Sequence, residues 1–314
     1  MVNLIRNENM KLYRRWRTWI MAALMIGAVL IGSFVDWHYD NKDAGADDWK
    51  TQITQEKQHW KEMIADPKTE EGSKNYAKDQ LAIGEYRLAH DIRPESDTMW
   101  SGINGSAQLI MLITLFTVIV AGDSLAGEFS TGTIKLLLIR PASRLKILLS
   151  KYISMILFGL LLLIVLFVVS LLTNGLLYHF KQLDLPLVSV DSAGNAIELS
   201  MLGNLWKSYM LNGVSTILFV TLAFMISSAF RSSAMAIGIS IFALFAGAII
   251  MELTQPYAWS KYMLFANLDL SQYLNGRPYQ DGMTMTFSIL VLAAYFILFN
   301  FVSWFFFTRR DVAA

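Results

Sequence analysis

Six long apolar runs constrain this chain more than any other feature of its sequence. None of the six contains Asp, Glu, Lys, Arg or His. Each is close to the roughly 20 residues that an α-helix needs to cross a bilayer. The runs cover residues 19–35, 103–122, 152–177, 209–230, 234–251 and 285–307. With 54% hydrophobic residues overall, the chain is predicted to be an all-α polytopic membrane protein with six transmembrane helices.

Basic residues indicate which side of the membrane each connection faces. If both termini are cytoplasmic, the cytoplasmic segments hold 13 Lys and Arg against 4 Asp and Glu, whereas the external segments hold 13 against 21. This asymmetry is the one described by the positive-inside rule. We therefore predict cytoplasmic termini and a multi-pass protein of the bacterial cytoplasmic membrane.

Three polar connections then lie outside the membrane. Residues 36–102 show two helical patterns separated by a turn at Pro67 and Gly72, which predicts a large external helical hairpin between the first two spans. Residues 178–208 contain the turn sequence D-S-A-G-N between two short stretches typical of strands, which predicts a small β-hairpin. The aromatic-rich residues 252–284 suit a segment at or dipping into the outer leaflet.

The two ends of the chain are predicted to be cytoplasmic. Residues 1–18 mix five basic residues with apolar ones and a single acid, Glu8. That mixture fits an amphipathic helix on anionic membrane lipid, but it fits equally a charge cluster that only sets topology. Residues 308–314 form a short tail.

Residues 123–151 form the longest polar and basic cytoplasmic connection. Their sequence predicts a short helix over 124–131 with Asp123 as its N-cap, a break at Gly132 and a second short helix over 134–139. Arg140 ends that helix because a residue preceding proline is disfavoured in the helical region. Ser143 then caps the helix that enters the membrane. Such a segment offers a docking surface.

Several chemistries have no signature in the sequence. Ion-coupled carriers usually place an ionisable group at membrane depth, and the six runs hold none. There is no phosphate-binding G-x-x-x-x-G-K-[ST] loop, no H-E-x-x-H and no G-x-S-x-G, and the chain has no cysteine. No histidine pair has metal-ligand spacing. We therefore expect no enzyme activity, no metal, no cofactor and no nucleic acid on this chain.

The central connection resembles the cytoplasmic loop between the second and third spans of ABC transporter permeases of the type-2 family. The shared pattern is E-x-x-x-G-T, then leucines, then P-x-S-R and a further lysine. It falls here on Glu128, Gly132, Thr133, Pro141, Ser143, Arg144 and Lys151. The resemblance implies the membrane subunit of a bacterial ABC exporter, with ATP and magnesium on a separate ATPase subunit and a second permease chain completing the pathway. It also implies short re-entrant helices within 252–284, whereas an interfacial loop remains the alternative there.

The resemblance further assigns residues to the contact with the ATPase. Phe129, Ile134 and Leu137 would form the apolar part of this contact, and Glu128 and Arg144 would make the polar contacts that orient the two proteins. The full set of expected coupling residues is Glu128, Phe129, Gly132, Thr133, Ile134, Leu137, Leu138, Pro141 and Arg144. The rival hypothesis is a membrane receptor or scaffold that transports nothing and binds a ligand through the external hairpin.

Overall fold

The computed structural model is predominantly helical and describes residues 1–43, 49–69, 71–134, 142–191, 194–230, 232–274, 278–280 and 282–309. Within these ranges we number eleven α-helices and two strands in chain order. They are α1 (Val2–Tyr13), α2 (Trp16–Asp43), α3 (Trp49–Ala65), α4 (Glu71–His90), α5 (Met99–Ser106), α6 (Ile110–Ser130), α7 (Arg144–Leu177), β1 (Pro186–Val190), β2 (Ala196–Ser200), α8 (Met201–Ala229), α9 (Ser233–Thr254), α10 (Leu264–Leu268) and α11 (Met285–Arg309).

Six helical stretches among the described residues are long and apolar enough to span a membrane, which confirms the predicted number of spans. They are Trp16–Tyr39, Met99–Ser130, Arg144–Leu177, Met201–Ala229, Ser233–Thr254 and Met285–Arg309. Most of these helices extend beyond the apolar runs, because polar and charged residues can continue an α-helix after the last apolar residue. The charged residues at their margins, such as Asp123 and Lys151, therefore lie within continuous helices.

The chain divides into two compact units. The first comprises Met1–Ala28, Gln108–Phe167 and Ser208–Ala314, and the second comprises Val29–Ala107 and Val168–Lys207.

In the first unit, the helix ends near the central connection lie close together. Asp123, near the end of α6, accepts a hydrogen bond from Ser233 at the start of α9. Arg144, at the start of α7, donates to the carbonyl of Thr308 at the end of α11 (3.0 Å). Side chains from α6, α7, α8 and α11 pack beside them in one apolar cluster. Its buried members are Leu125, Ile134, Ile147, Leu148, Tyr152, Phe224 and Phe307.

Between α9 and α11 the chain forms short helical turns, Ala258–Tyr262, α10 and Leu270–Tyr273. Asn267 of α10 donates to the carbonyls of Lys261 and Met263, each at 2.8 Å, and accepts from Ser288 of α11 at 2.6 Å. The fully buried Asn267 thus has its polar atoms satisfied. This bonding holds the turns of the segment together and links them to α11.

The second unit contains α3, α4 and the two strands. Lys57 of α3 pairs with Glu85 of α4 at 3.2 Å, and Trp60 meets Tyr76 edge to face. The strands pair antiparallel, with Val188 opposite Glu198, which confirms the predicted β-hairpin. Tyr86 of α4 donates to Glu198 at 3.1 Å and so joins the helices to the hairpin.

One predicted boundary in the central connection is wrong. Asp123 does not cap a new helix, because α6 continues through it to Ser130. No proline interrupts residues 110–130, and Asp123 finds partners in other segments instead of the amides of its own. The predicted second short helix, over 134–139, lies almost wholly outside the described residues.

Candidate functional site: a charged junction at the central connection

The predicted break at Gly132 is confirmed and ends α6. Gly132 has φ +71°, in the left-handed region that favours glycine. The amides of Thr131 and Gly132 donate to the carbonyls of Gly127 (3.0 Å) and Phe129 (3.2 Å). An added Cβ at Gly132 would meet nothing within 4 Å, so the backbone conformation alone requires glycine. The residues of this turn, 130–133, are exposed.

Beside this turn lie seven charged side chains that we call the charged junction. Its members come from the N-terminal segment, α6 and α7 and form two groups. They are Glu8, Lys11, Arg15, Arg17, Asp123, Glu128 and Lys151.

Lys151 is at the centre of the first group. Its ammonium lies 2.9 Å from Glu8 and 3.1 Å from Glu128, and its side chain is only 4% exposed. Lys11 lies 3.0 Å from Glu8 and 3.7 Å from Glu128, so two cations balance two carboxylates. Thr133 donates to the second oxygen of Glu128 and links this group to the turn after α6. A buried lysine with these partners satisfies the requirement that a buried charge be paired.

The environment of Glu8 alters its acidity. Burial by itself disfavours the carboxylate, but the charges and hydrogen bonds of Lys151 and Lys11 outweigh burial and hold the pKa of Glu8 below its ordinary value. Glu8 is therefore a carboxylate at neutral pH, as its ion pairs require.

Asp123 is at the centre of the second group. It accepts from Arg17 at 2.5 Å and from Arg15 at 3.2 Å, while Ser233 donates to its other oxygen at 2.5 Å. The carboxylate lies over the next turn of its own helix, where a Cβ on Gly127 would come 2.6 Å from it. Glycine at position 127 leaves room for this placement.

Helix α1 is packed on α7 through one face. Leu12 is 4% exposed, Ser154 donates to the carbonyl of Ile5 (3.3 Å) and Tyr13 meets Phe158 edge to face. The N-terminal segment is thus helical, and it is bound to α7 by an aromatic contact and a hydrogen bond as well as by charge. Both sequence hypotheses for this segment missed these contacts.

The expected coupling residues divide by location. Ile134 is 3% exposed and belongs to the apolar cluster with Leu125 and Phe307, and the partly buried Phe129 packs against the same cluster. The Glu128 carboxylate is likewise engaged internally. Thr133 and Gly132 are exposed. Leu137, Leu138 and Pro141 lie outside the described residues.

Sequence reasoning missed most of the junction. The single acid in a basic N-terminal segment, Glu8, was a visible signal, since an isolated carboxylate among cations suggests a specific pair. Lys151 belonged to the motif but was given no role. The pairing of Asp123 with Arg15, Arg17 and Ser233 joins residues about 100 positions apart, and no local pattern encodes it.

Comparison with known proteins identifies the family. A family model described as "Protein of unknown function (DUF2705)" matches residues 78–313. The "Uncharacterized protein YhcI" of Bacillus subtilis (strain 168) is 40% identical over 321 residues, covering the whole of both chains. The "Uncharacterized membrane protein YdbK" of the same organism is 32% identical over 208 residues, covering 65% of this chain and 79% of YdbK.

These matches correct the family suggested by the sequence motif. The resemblance to type-2 ABC permeases rested on about a tenth of the chain, whereas the family model covers residues 78–313 and the relatives are not named as ABC permeases. A short basic loop with glycine and proline is a weaker criterion than similarity along most of the chain. With six long apolar helices among its described residues and a relative called a membrane protein, this is a multi-pass membrane protein. The chain belongs to the DUF2705 family.

Proposed function

We propose that this chain is the permease subunit of an ATP-driven exporter in the bacterial cytoplasmic membrane. Two such subunits, identical or homologous, would form the translocation pathway, and a separate ATPase chain would dock on residues 123–151. ATP and magnesium would bind to that ATPase, so this chain would itself be no enzyme.

The charged junction is the observation that carries the proposal. A segment that transmits force must be firmly attached to the helices that it moves. Residues 123–134 are attached to α7 through Glu128 and Lys151, to α9 through Asp123 and Ser233, and to α1 through Glu128 and Lys11. Pressure on the turn after α6 would therefore reach several helices at once.

The charge distribution supports a cytoplasmic docking site. Residues 123–151 belong to the basic set of segments that the positive-inside rule places in the cytoplasm, where ATP is available. The exposed turn at residues 130–133 and the exposed residues 143–146 offer a surface to a soluble partner.

The internal location of Glu128, Phe129 and Ile134 changes the roles that we propose for them. They would hold the docking segment in place, and the exposed turn would make the contact. Substitutions at the two kinds of position should therefore have different signatures. A surface substitution should release the ATPase from a stable permease, whereas an internal one should also destabilise the permease.

Co-purification from the native membrane tests the proposal. The tagged wild type should retain an ATPase, identified by mass spectrometry and by ATP hydrolysis, and Thr131→Arg should lose it. The hydroxyl of Thr131 makes exposed hydrogen bonds to Gly127 and Thr133, so Thr131→Arg should lower the thermal stability only slightly. Glu56→Gln on α3, an exposed position in the second unit, is the control and should retain it. A wild-type complex without any ATPase, or equal recovery with Thr131→Arg, would contradict the docking role and favour the receptor hypothesis.

A further inference from the structure

A wide, open cleft of about 480 Å³ lies within the second unit, between the residues that follow α4 and those that precede β1. Its volume falls in the range of roughly 300–1,000 Å³ that is common for ligand sites. The lining residues are Asp91, Ile92, Arg93, Phe180, Gln182, Leu183, Asp184, Leu185 and Pro186.

The cleft combines apolar surface with two carboxylates, those of Asp91 and Asp184, and one guanidinium, that of Arg93, which has an interaction of its own within the chain. Phe180 is 39% exposed and Leu183 is 53% exposed. Asp184 is exposed and makes no hydrogen bond or ion pair with any described residue, whereas Asp91 pairs with Lys50. Exposed apolar side chains grouped in a concave surface are typical of interaction sites.

The walls of the cleft are held in place by specific backbone contacts. Asp91, Phe180 and Gln182 have φ of 56°, 51° and 59°, a conformation uncommon for residues other than glycine. The amide of Phe180 donates to the carbonyl of Gly175 at 2.7 Å, and the buried indole of Trp100 donates to the carbonyl of Gln182 at 2.9 Å. The cleft is thus preformed, and a ligand need not order it.

Charge decides the kind of ligand. The second unit holds 18 Asp and Glu against 11 Lys and Arg, a net charge of −7. A cationic ligand would be attracted to this unit at long range, whereas an anionic ligand would be repelled. The apolar side chains in the cleft require that the ligand also carry apolar groups.

We propose that this cleft binds a cationic amphiphilic peptide, with a basic side chain at Asp184 and an apolar side chain against Phe180 and Leu183. The proposal does not depend on an ATPase partner. It would hold for an exporter that first captures its substrate and equally for a receptor.

Peptide binding to the full chain in nanodiscs of zwitterionic phosphatidylcholine tests this proposal. The probe is a short fluorescein-labelled peptide of leucine and lysine, and its twin carries glutamate in place of lysine. Fluorescence anisotropy should show saturable binding of the lysine peptide only, above the signal from empty nanodiscs. Equal binding of both peptides, or binding to empty nanodiscs alone, would overturn the proposal.

Substitutions locate the binding. Asp184→Asn should weaken the affinity by about threefold to fivefold, since an exposed charge pair is worth little more. Leu183→Ser should weaken it by about tenfold through lost apolar contact. Glu56→Gln makes the same charge change as Asp184→Asn on exposed α3 and should leave the affinity unchanged. If Glu56→Gln and Asp184→Asn weaken binding equally, the attraction belongs to the whole unit and the cleft is not the site.

Discussion

Lys151→Met tests directly whether the charged junction holds the first unit together. The substitution keeps the length and apolar character of the side chain but removes the ammonium between Glu8 and Glu128. Removing one partner of a buried ion pair costs about 3–5 kcal/mol. Here the carboxylates are 11% and 15% exposed and Lys11 remains beside both, so we expect a loss of about 2 kcal/mol.

Thermal unfolding of the purified protein in detergent measures this loss. For a chain of this size, about 2 kcal/mol corresponds to a decrease in Tm of roughly 3 °C or more. Lys146→Met is the matched control, because Lys146 lies on the same helix and is exposed. Its Tm should stay within about 1 °C of the wild type.

A triple variant separates lost charge balance from lost packing. When Glu8→Gln and Glu128→Gln accompany Lys151→Met, no carboxylate is left without its lysine, and most of the stability should return. If Lys151→Met and Lys146→Met have the same Tm, or if the triple variant has a lower Tm than Lys151→Met, the ion pairs do not have the structural role assigned to them.

Three further perturbations follow from the structure. Because the pKa of Glu8 is lowered, its stabilising contribution is complete above pH 4.5, the ordinary pKa, and is lost as the pH falls through the lowered pKa. Below pH 4.5 the Tm of the wild type should therefore fall more steeply than the Tm of Glu8→Gln. Gly132→Ala should cost about 1 kcal/mol because alanine resists φ +71°, and Gly132→Asn should cost less; equal Tm values for Gly132→Ala and the wild type would refute this. Gly102→Ala would place a Cβ 2.1 Å from the Oδ1 atom of buried Asn174 and should lower the free energy of unfolding by about 1–3 kcal/mol. Gly72→Ala should not lower it, because an added Cβ there would meet nothing within 4 Å. Equal Tm values for the two variants would contradict the clash.

The local features of the central connection were predictable because they depend on neighbouring residues. Gly132 ends α6 since a left-handed residue is needed there. Ser143 caps α7 by accepting from the amide of Lys146 (3.4 Å), as its position before a long apolar helix predicts. The boundary at Asp123 was not predictable, because its true partners are the distant Arg17, Arg15 and Ser233.

The roles of the candidate residues depend on which way each side chain faces. An apolar residue such as Phe129 or Ile134 in a basic loop is expected to contact a partner at the surface. Both instead pack in the apolar cluster that contains Leu125 and Phe307. Hydrophobicity shows that a side chain avoids water. It does not show whether the side chain is buried against other residues of the same chain or against a partner.

The sequence by itself determined the six helices that, among the described residues, are long and apolar enough to span a membrane, because the cost of placing a polar backbone in lipid forces each long apolar run into a helix. It also determined the β-hairpin and the break at Gly132, which depend on local backbone preferences. Only the tertiary structure decided that Glu8 and Lys11 meet Glu128 and Lys151, and that a cleft forms between the end of α4 and the start of β1. These features join segments far apart in the chain, and their geometry exists only once the helices have packed.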